Sequence, residues 1–175
     1  MVTVIGIDPG LAATGIGIVT GEGQQVCSHA YGAINTRGDL SLAHRLDIIY
    51  SKLTRVLKEK KPDLMVVEDV FSLEKYPKSG ITLGKVCGGI LLAGYQADVA
   101  ITEVAVRQAK QILTGNGNAG KDQLEKAVRH TLCLSEPIRP YHASDALGLA
   151  LIGLFRFENY MRLNQMKSNK KSSLR

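Results

Sequence analysis

Three carboxylates and one histidine occupy positions from which they could act together on a metal ion. Asp8 and Glu68 each end a run of apolar residues, and His142 and Asp145 lie at the start of a third apolar segment. Carboxylates that converge repel one another and resist ionisation unless a cation compensates. These residue types therefore indicate a site for a hard divalent cation, and phosphate chemistry is a common use of such a site.

The elements that must position these residues follow from the pattern of apolar residues. The apolar runs at 2–7 and 64–67 predict strands that are buried on both faces of a mostly parallel sheet. Strands are predicted at 2–7, 15–19, 25–34, 64–67 and 100–104, and helices at 42 to about 60, 81–98, 106–113, 121–134 and 144–160. A hairpin followed by alternating helices and strands predicts an α/β fold, a mixed five-stranded sheet flanked by helices. In outline this is the ribonuclease H-like arrangement.

In that arrangement the four residues would converge. The first strand and the strand after the first helix would be neighbours, so Asp8 and Glu68 would face each other at one sheet edge, where sites form in open α/β sheets. His142 and Asp145 are three residues apart and would lie on one side of a helical first turn. Four such ligands on three elements suit two octahedral Mg²⁺ ions about 3.5–4 Å apart.

Each of the four residues also has a purely structural interpretation. Asp8 could start a turn, and Asp145 could interact with the dipole of its helix. Glu68 could be a solvated strand end, and His142 could be a neighbour of a helix cap. Taken singly, the structural interpretation is favoured for all but Glu68, whereas taken together in the predicted fold the four residues favour the metal site.

Composition predicts one basic domain. The chain has 175 residues, of which 45% are hydrophobic, and a formal net charge of +6 at pH 7. This charge favours an anionic partner, most commonly nucleic acid. We predict a single domain at 1–160 and a basic, disordered tail at 161–175.

Three cysteines, Cys27, Cys87 and Cys133, are odd in number and far apart. They predict neither a zinc site nor a disulfide framework, but reduced, partly buried thiols in a cytoplasmic protein. No apolar run approaches the roughly 18 residues that a membrane span needs, so no membrane association is predicted.

Two motifs resemble nucleotide-binding signatures and are rejected. Residues 115–122, GNGNAGKD, nearly match the P-loop pattern, but a helix is predicted before them and Asp122 replaces the hydroxyl residue that would hold Mg²⁺. What remains is a loop leading into a helix with Lys121 at its start, which suits a DNA phosphate. The start around Asp8 is also similar to actin-like ATPases, but 175 residues are too few for their two lobes.

Four segments in order resemble the RuvC family of bacterial Holliday-junction resolvases. They are IGIDPG at 5–10 with Thr14 and Gly15, VEDVF at 67–71, VRQAKQ at 106–111 and DAL at 145–147. The resemblance spans residues 1 to about 158. It implies a Mg²⁺-dependent endonuclease, with Mn²⁺ as an alternative ion, that acts in recombination and repair as a homodimer. Such an enzyme nicks two strands of a four-way junction symmetrically, and its family partners are RuvA and RuvB.

The resemblance also assigns roles to single residues. Asp8, Glu68 and Asp145 match the acidic catalytic positions, and His142 stands where a fourth acidic residue is common, so it would either bind metal or activate water. Phe71 matches an aromatic residue that stacks at the junction centre. Further matches are Lys110 and Lys121 as DNA contacts, the glycine-rich helix with Gly84, Gly88, Gly89 and Gly94 as the dimer-forming element, and Lys75, Lys78 and Lys85 as additional phosphate contacts.

Other functions stay open on the residues alone. A ribonuclease H-like nuclease that acts on RNA or RNA–DNA hybrids would share the same metal site. A junction-binding protein without catalytic activity is a second alternative, and the histidine at 142 is the feature that favours it. An ATPase is the least favoured function.

Overall fold

The computed structural model describes residues 1–69 and 77–161. Its elements in chain order are β1 (Val2–Asp8), β2 (Ala13–Glu22), β3 (Gln25–Asn35), α1 (Leu42–Lys60), β4 (Leu64–Asp69), α2 (Pro77–Gln96), β5 (Ala100–Ala105), α3 (Val106–Thr114), α4 (Lys121–Thr131) and α5 (Tyr141–Phe155). The order of strands and helices agrees with the sequence prediction. No helix in these two stretches is long and apolar enough to cross a membrane.

The last two helices differ from their predicted bounds. Helix α5 begins at Tyr141, directly after Pro140, and not near Ser144. Pro140 is the N-cap of this helix. A proline is well tolerated at a helix start, because the N–H that it lacks would have no partner within the helix. Helix α4 ends at Thr131, earlier than predicted, and Cys133 two residues later has a φ of 53°. A left-handed residue of this kind cannot continue a helix.

The sheet is mixed and has five strands in the order β3-β2-β1-β4-β5. Strand β1 pairs antiparallel with β2 and parallel with β4, and β4 pairs parallel with β5. The predicted mixed five-stranded sheet is confirmed. Strand β1 therefore lies at the centre, and its carboxyl end lies beside that of β4.

The two faces of the sheet are covered by different helices. Successive strand residues point to opposite faces, and in β1 Val4 packs with the core around α5 while Ile5 and Ile7 pack with α1 and α2. Gly6 and Asp8 therefore share the α5 face with Val4. This alternation directs the carboxylate at the end of β1 towards α5 and away from α1.

Helix α5 lies directly on the backbone of β1 and β2. A Cβ on Gly6 would lie 2.0 Å from the carbonyl oxygen of Ala146, and one on Gly15 would lie 2.0 Å from that of His142. At Gly17 the added atom would lie 2.4 Å from an α5 backbone nitrogen. These contacts fix the height of α5 above the sheet, and hence the position of its first turn.

This close approach gives a stability prediction. Gly15→Ala should lower the free energy of unfolding by about 2–3 kcal/mol, because its methyl group would overlap the backbone of His142. Gly32→Ala is the matched control, since nothing lies within 4 Å of a Cβ there. Urea denaturation measures both, and equal effects of the two substitutions would contradict the packing described.

The three cysteines form no disulfide. Cys27 and Cys133 are exposed and Cys87 is half-buried. The prediction of free thiols is therefore confirmed, but the expectation that all three are partly buried was wrong for the two exposed ones.

Candidate active site

Asp8 and Glu68 meet because of strand register. The parallel pairing of β1 with β4 runs as far as Ile7 opposite Val67, and Asp8 and Glu68 are the next residues on each strand. In β4, Val66 packs in the core around α5, so Glu68, two residues later, also faces α5. The predicted meeting of these two carboxylates at one sheet edge is confirmed.

The first turn of α5 brings the other two residues to the same place. The His142 Nδ1 atom lies 2.5 Å from the Asp8 Oδ2 atom, and the His142 side chain is 43% exposed. When Asp8 is ionised it can only accept, so Nδ1–H donates and Nε2 is left as an acceptor. The four predicted residues line one cleft of about 170 Å³, together with Lys110 and Lys121. The structure therefore brings together all four.

Glu68 is the carboxyl group that most resists ionisation. Burial, the hydrogen bond with Asp8 and the charges of Asp8 and Asp145 together raise its pKa to about 8, against the opposing charge of Lys110. The protonated form of Glu68 is therefore favoured, and in that form it donates a hydrogen bond to Asp8.

Asp8 and Asp145 are shifted in the same direction. Burial and the charge of Asp145 raise the pKa of Asp8, the hydrogen bond from Glu68 and the charge of Lys121 lower it, and the net result is a pKa of about 6. Burial also raises the pKa of Asp145, against Lys121, His142 and Lys110. Three carboxyl groups with raised pKa values in one cleft form a site whose ionised state needs additional positive charge.

The donor set fits a hard divalent cation. Carboxylate oxygens are the ligands that Mg²⁺ and Mn²⁺ prefer, and three carboxylates supply them here. Within residues 1–69 and 77–161, no three acidic, histidine or cysteine side chains are already arranged as an ion would require. His142 donates to Asp8, and Glu68 also forms a hydrogen bond with Asp8, so the carboxylate of Asp8 is engaged by two neighbouring side chains.

Lys110 and Lys121 lie closer to the carboxylates than the sequence indicated. Lys110 lies on α3, which follows β5 directly, and Lys121 is the first residue of α4. Both line the cleft, where a substrate phosphate would meet their charges beside the carboxylates. Phe71 and Lys75 lie outside the described residues, as does the side chain of Lys78, while Lys85 is exposed on α2.

In the loop that resembled a P-loop, two backbone N–H groups donate to glutamine side chains of the adjoining helices. It follows helix α3 and no strand, as the sequence predicted. The Gly117 N–H donates to Gln111 Oε1 at 3.0 Å, and the Gly120 N–H donates to Gln123 Oε1 at 3.0 Å. Groups that are satisfied in this way do not form a phosphate cradle, so the rejection of a P-loop is supported.

Sequence reasoning missed two features of the cleft. The apolar residues Val106, Ala109, Leu124 and Leu149 form its walls. In addition, the Tyr141 hydroxyl donates to Asp122 Oδ1 at 2.9 Å, which ties the first turn of α5 to that of α4. The helical spacing of Val106 and Ala109 was a signal for the first feature, but nothing in the sequence pairs Tyr141 with Asp122.

Comparisons with known proteins agree on one family. Residues 4–153 match the family model described as crossover junction endodeoxyribonuclease RuvC. The RuvC protein of Fusobacterium nucleatum is 40% identical over 148 residues, which cover 85% of this chain and 77% of the relative. That of Prosthecochloris aestuarii is 38% identical over 151 residues, covering 86% and 80%. The structure of Thermus thermophilus RuvC in complex with a Holliday junction substrate is similar, with a TM-score of 0.83, 30% identity, and coverage of 94% and 97%. The predicted ribonuclease H-like fold is confirmed.

Proposed function

The chain belongs to the RuvC family of crossover junction endodeoxyribonucleases, and we propose that it resolves four-way DNA junctions with Asp8, Glu68, His142 and Asp145. The observation that carries this assignment is the convergence of three carboxyl groups from β1, β4 and α5, one buried and two half-buried, in one cleft beside two lysines. As a nuclease of this family it depends on a divalent metal. The finer assignments below are supported by the geometry of the cleft and by the family resemblance.

Asp8, Glu68 and Asp145 would hold the metal, which we propose to be two Mg²⁺ ions, with Mn²⁺ as an alternative. When bound, the ions would supply positive charge to the attacking water and to the leaving oxygen of the phosphodiester. Asp8 accepts from His142 and so orients the imidazole ring. The Nε2 atom is then free to take a proton from water or to bind metal, and its exposure supports the first of these roles.

Lys110 and Lys121 would bind the phosphate that is cut. Each opposes the negative charge of the cleft, since both lower the pKa of Asp145. Their position beside the carboxylates supports contact with the scissile phosphate and not with a distant one. Phe71 is proposed on the family resemblance to stack on a base at the junction centre.

A homodimer would present two such clefts to the two strands of a junction. One face of α2, formed by Ile81, Gly84, Gly88, Leu92 and Tyr95, supports this proposal. Ile81, Leu92 and Tyr95 are 63%, 50% and 79% exposed. Nothing lies within 4 Å of a Cβ on Gly84, Gly88 or Gly89. An apolar helix face with shallow, open positions suits close packing against a second copy.

Gly94 does not belong to this open surface. A Cβ there would lie 2.3 Å from the Met65 side chain and 2.9 Å from that of Ile101. Of the four glycines assigned to the dimer-forming element, Gly94 therefore packs against side chains within the chain.

Disrupting the α2 face should uncouple the two nicks that a dimer would make in one junction. The double substitution Leu92→Asp and Tyr95→Asp places charge on both exposed apolar side chains, so we expect monomers that nick without pairing their cuts. Light scattering measures the mass, and a cruciform plasmid assay distinguishes paired from single cuts. Tyr31→Asp is the matched control on β3, where the side chain is also exposed. A double variant that stays dimeric would contradict this interface.

The remaining proposals rest on the resemblance and on composition. We propose that residues 1–160 form the nuclease domain, that the basic segment 161–175 lies outside it, and that the enzyme acts in the cytoplasm with RuvA and RuvB in recombination and repair. None of these assignments changes the chemistry of the cleft.

Substrate profiling tests the proposed function. The protein is incubated with Mg²⁺ and a labelled four-way junction, beside linear duplex and RNA–DNA hybrid of matched sequence. Symmetric nicks in the junction alone are expected. A preference for hybrid or duplex would assign the same site to another nuclease activity, and binding without cutting would favour the non-catalytic alternative.

A further inference from the structure

A second concave surface lies between the edge strand β3 and helix α1, and we call it the β3–α1 groove. It has a volume of about 460 Å³ and shares no lining residue with the catalytic cleft. Its floor is apolar and includes Ile16, Ile18 and Ile34, on the side of the sheet that faces α1. Helix α1 contributes Val56 to the wall but leaves this part of the sheet face open.

Strand β3 also has an open hydrogen-bonding edge. It is the first strand in the sheet order, and within residues 1–69 and 77–161 its eleven residues pair with β2 alone. Residues 27–31 are exposed, and alternate backbone N–H and C=O groups of an edge strand point away from the sheet. Proteins usually protect such edges with lysine, other charges or proline. Strand β3, QVCSHAYGAIN, contains no proline and no lysine, arginine, aspartate or glutamate. An edge without protection is suited to pairing with another strand.

The rim of the groove is positively charged. Lys52, Arg55, Glu59 and Lys60 of α1 line it. Arg55 and Glu59 form an ion pair at 2.7 Å, whereas Lys52 and Lys60 have no ion-pair partner among the described residues. Two lysines beside an apolar floor complement a segment that carries both apolar and acidic side chains.

These features exclude two other occupants. The C-terminal segment 162–175 contains five basic residues and no acidic one, so the rim would repel it. DNA phosphates could reach Lys52 and Lys60, but they would leave the apolar floor and the open edge of β3 without partners. A protein segment satisfies all three features together.

We propose that the β3–α1 groove binds an extended acidic segment of a partner protein, which pairs with β3 as a sixth strand. Its backbone meets the open edge, its alternate apolar side chains cover Ile18 and Ile34, and its carboxylates reach Lys52 and Lys60. This is strand addition to a sheet edge, in which the backbone supplies affinity and the side chains supply specificity. Because the groove is separate from the cleft, a partner bound there leaves the catalytic residues accessible to DNA.

Nuclear magnetic resonance on the full-length, ¹⁵N-labelled protein tests the proposal with a synthetic peptide. The probe is a peptide of about eight residues in which valine and aspartate alternate. At about 1 mM peptide we expect shifts of the Ala30 and Gly32 amide resonances. A peptide with lysine in place of aspartate, and one with N-methylated backbone positions, should both bind more weakly.

The double variant Lys52→Glu and Lys60→Glu tests the charged rim. Both side chains lie on α1, away from the cleft, so we expect peptide binding to weaken by about fivefold or more while junction cleavage stays unchanged. Absent peptide shifts at β3, or equal binding of the lysine peptide, would overturn the proposal. Shifts at β3 caused by junction DNA alone would assign the surface to nucleic acid, and shifts with protein concentration alone would assign it to a second copy. Because the readout is binding at β3, it does not depend on the proposed nuclease function.

Discussion

Asp8→Asn is expected to lower the rate of junction cleavage by about a thousandfold while junction binding stays nearly unchanged. Asp8 ends β1 in the centre of the sheet and contacts both Glu68 and His142. Asparagine keeps the size of the side chain but removes the charge that would hold the metal and orient the imidazole ring. The measurement is single-turnover cleavage of a labelled junction, with binding measured separately in Ca²⁺.

Glu103→Gln is the matched control for this experiment. Glu103 is an exposed carboxylate on β5, opposite Val67, whose side chain packs on the α1 and α2 side of the sheet. The substitution therefore removes one carboxylate charge from a parallel strand of the same sheet without touching the cleft. Cleavage by Asp8→Asn within tenfold of the wild-type rate, or loss of junction binding together with cleavage, would contradict a purely catalytic role.

The second large effect is on stability in the absence of metal. The pKa of Glu68 is about 8 in the folded protein, against 4.5 for an unperturbed glutamate. Between these values the unfolded chain has lost its proton while the folded protein keeps it, so the free energy of unfolding falls as pH rises. We expect a decrease on the order of 2–4 kcal/mol from pH 5 to pH 8, with little further decrease from Glu68 above about pH 9.

Two changes, addition of Mg²⁺ and substitution of Glu68, should reverse this loss of stability. Mg²⁺ at pH 8 should restore stability, because a bound cation favours the ionised carboxylates. Glu68→Gln should remove most of the pH dependence and raise the stability of the metal-free protein at pH 8, whereas Glu103→Gln should do neither. Denaturation curves collected in EDTA across this pH range give the answer. If the pH dependence of the free energy of unfolding is the same for the wild type and Glu68→Gln, the carboxyl cluster does not destabilise the metal-free protein at high pH.

The meeting of Asp8 and Glu68 could be predicted because two local patterns determine it. Each residue ends an apolar run, and parallel neighbours end at the same sheet edge. The helical spacing of His142 and Asp145 placed them together for the same kind of reason. In both cases strand register or helical period, which can be read from the sequence, determines which side chains lie together.

The position of the two lysines could not be predicted in the same way. Lys110 and Lys121 enter the cleft because α3 and α4 pack beside α5, and helix packing depends on long-range contacts. The glycines gave an ambiguous signal for a similar reason. The contacts of Gly15 and Gly94 are made inside the chain, whereas Gly84 and Gly88 face open space, and nothing in the sequence separates these cases.

The cleft is suited to cations because the negative charge of its carboxylates is not balanced by nearby positive charge. Burial holds the carboxyl groups in a partly protonated cluster when no metal is bound, and His142 and Glu68 occupy the oxygen atoms of Asp8. Binding of cations would favour the ionised carboxylates. The lysines supply only part of the required positive charge, because the pKa of Asp145 stays raised in spite of both.

The most direct test of the central claim is to locate the metal. Crystals of the protein with Mn²⁺ and a junction that carries a non-hydrolysable scissile linkage would show the ions by anomalous scattering. The account predicts two anomalous peaks bounded by the carboxylates of Asp8, Glu68 and Asp145, with Lys110 and Lys121 at the scissile phosphate. Peaks elsewhere in the protein, or a cleft that binds DNA without any ion, would contradict it.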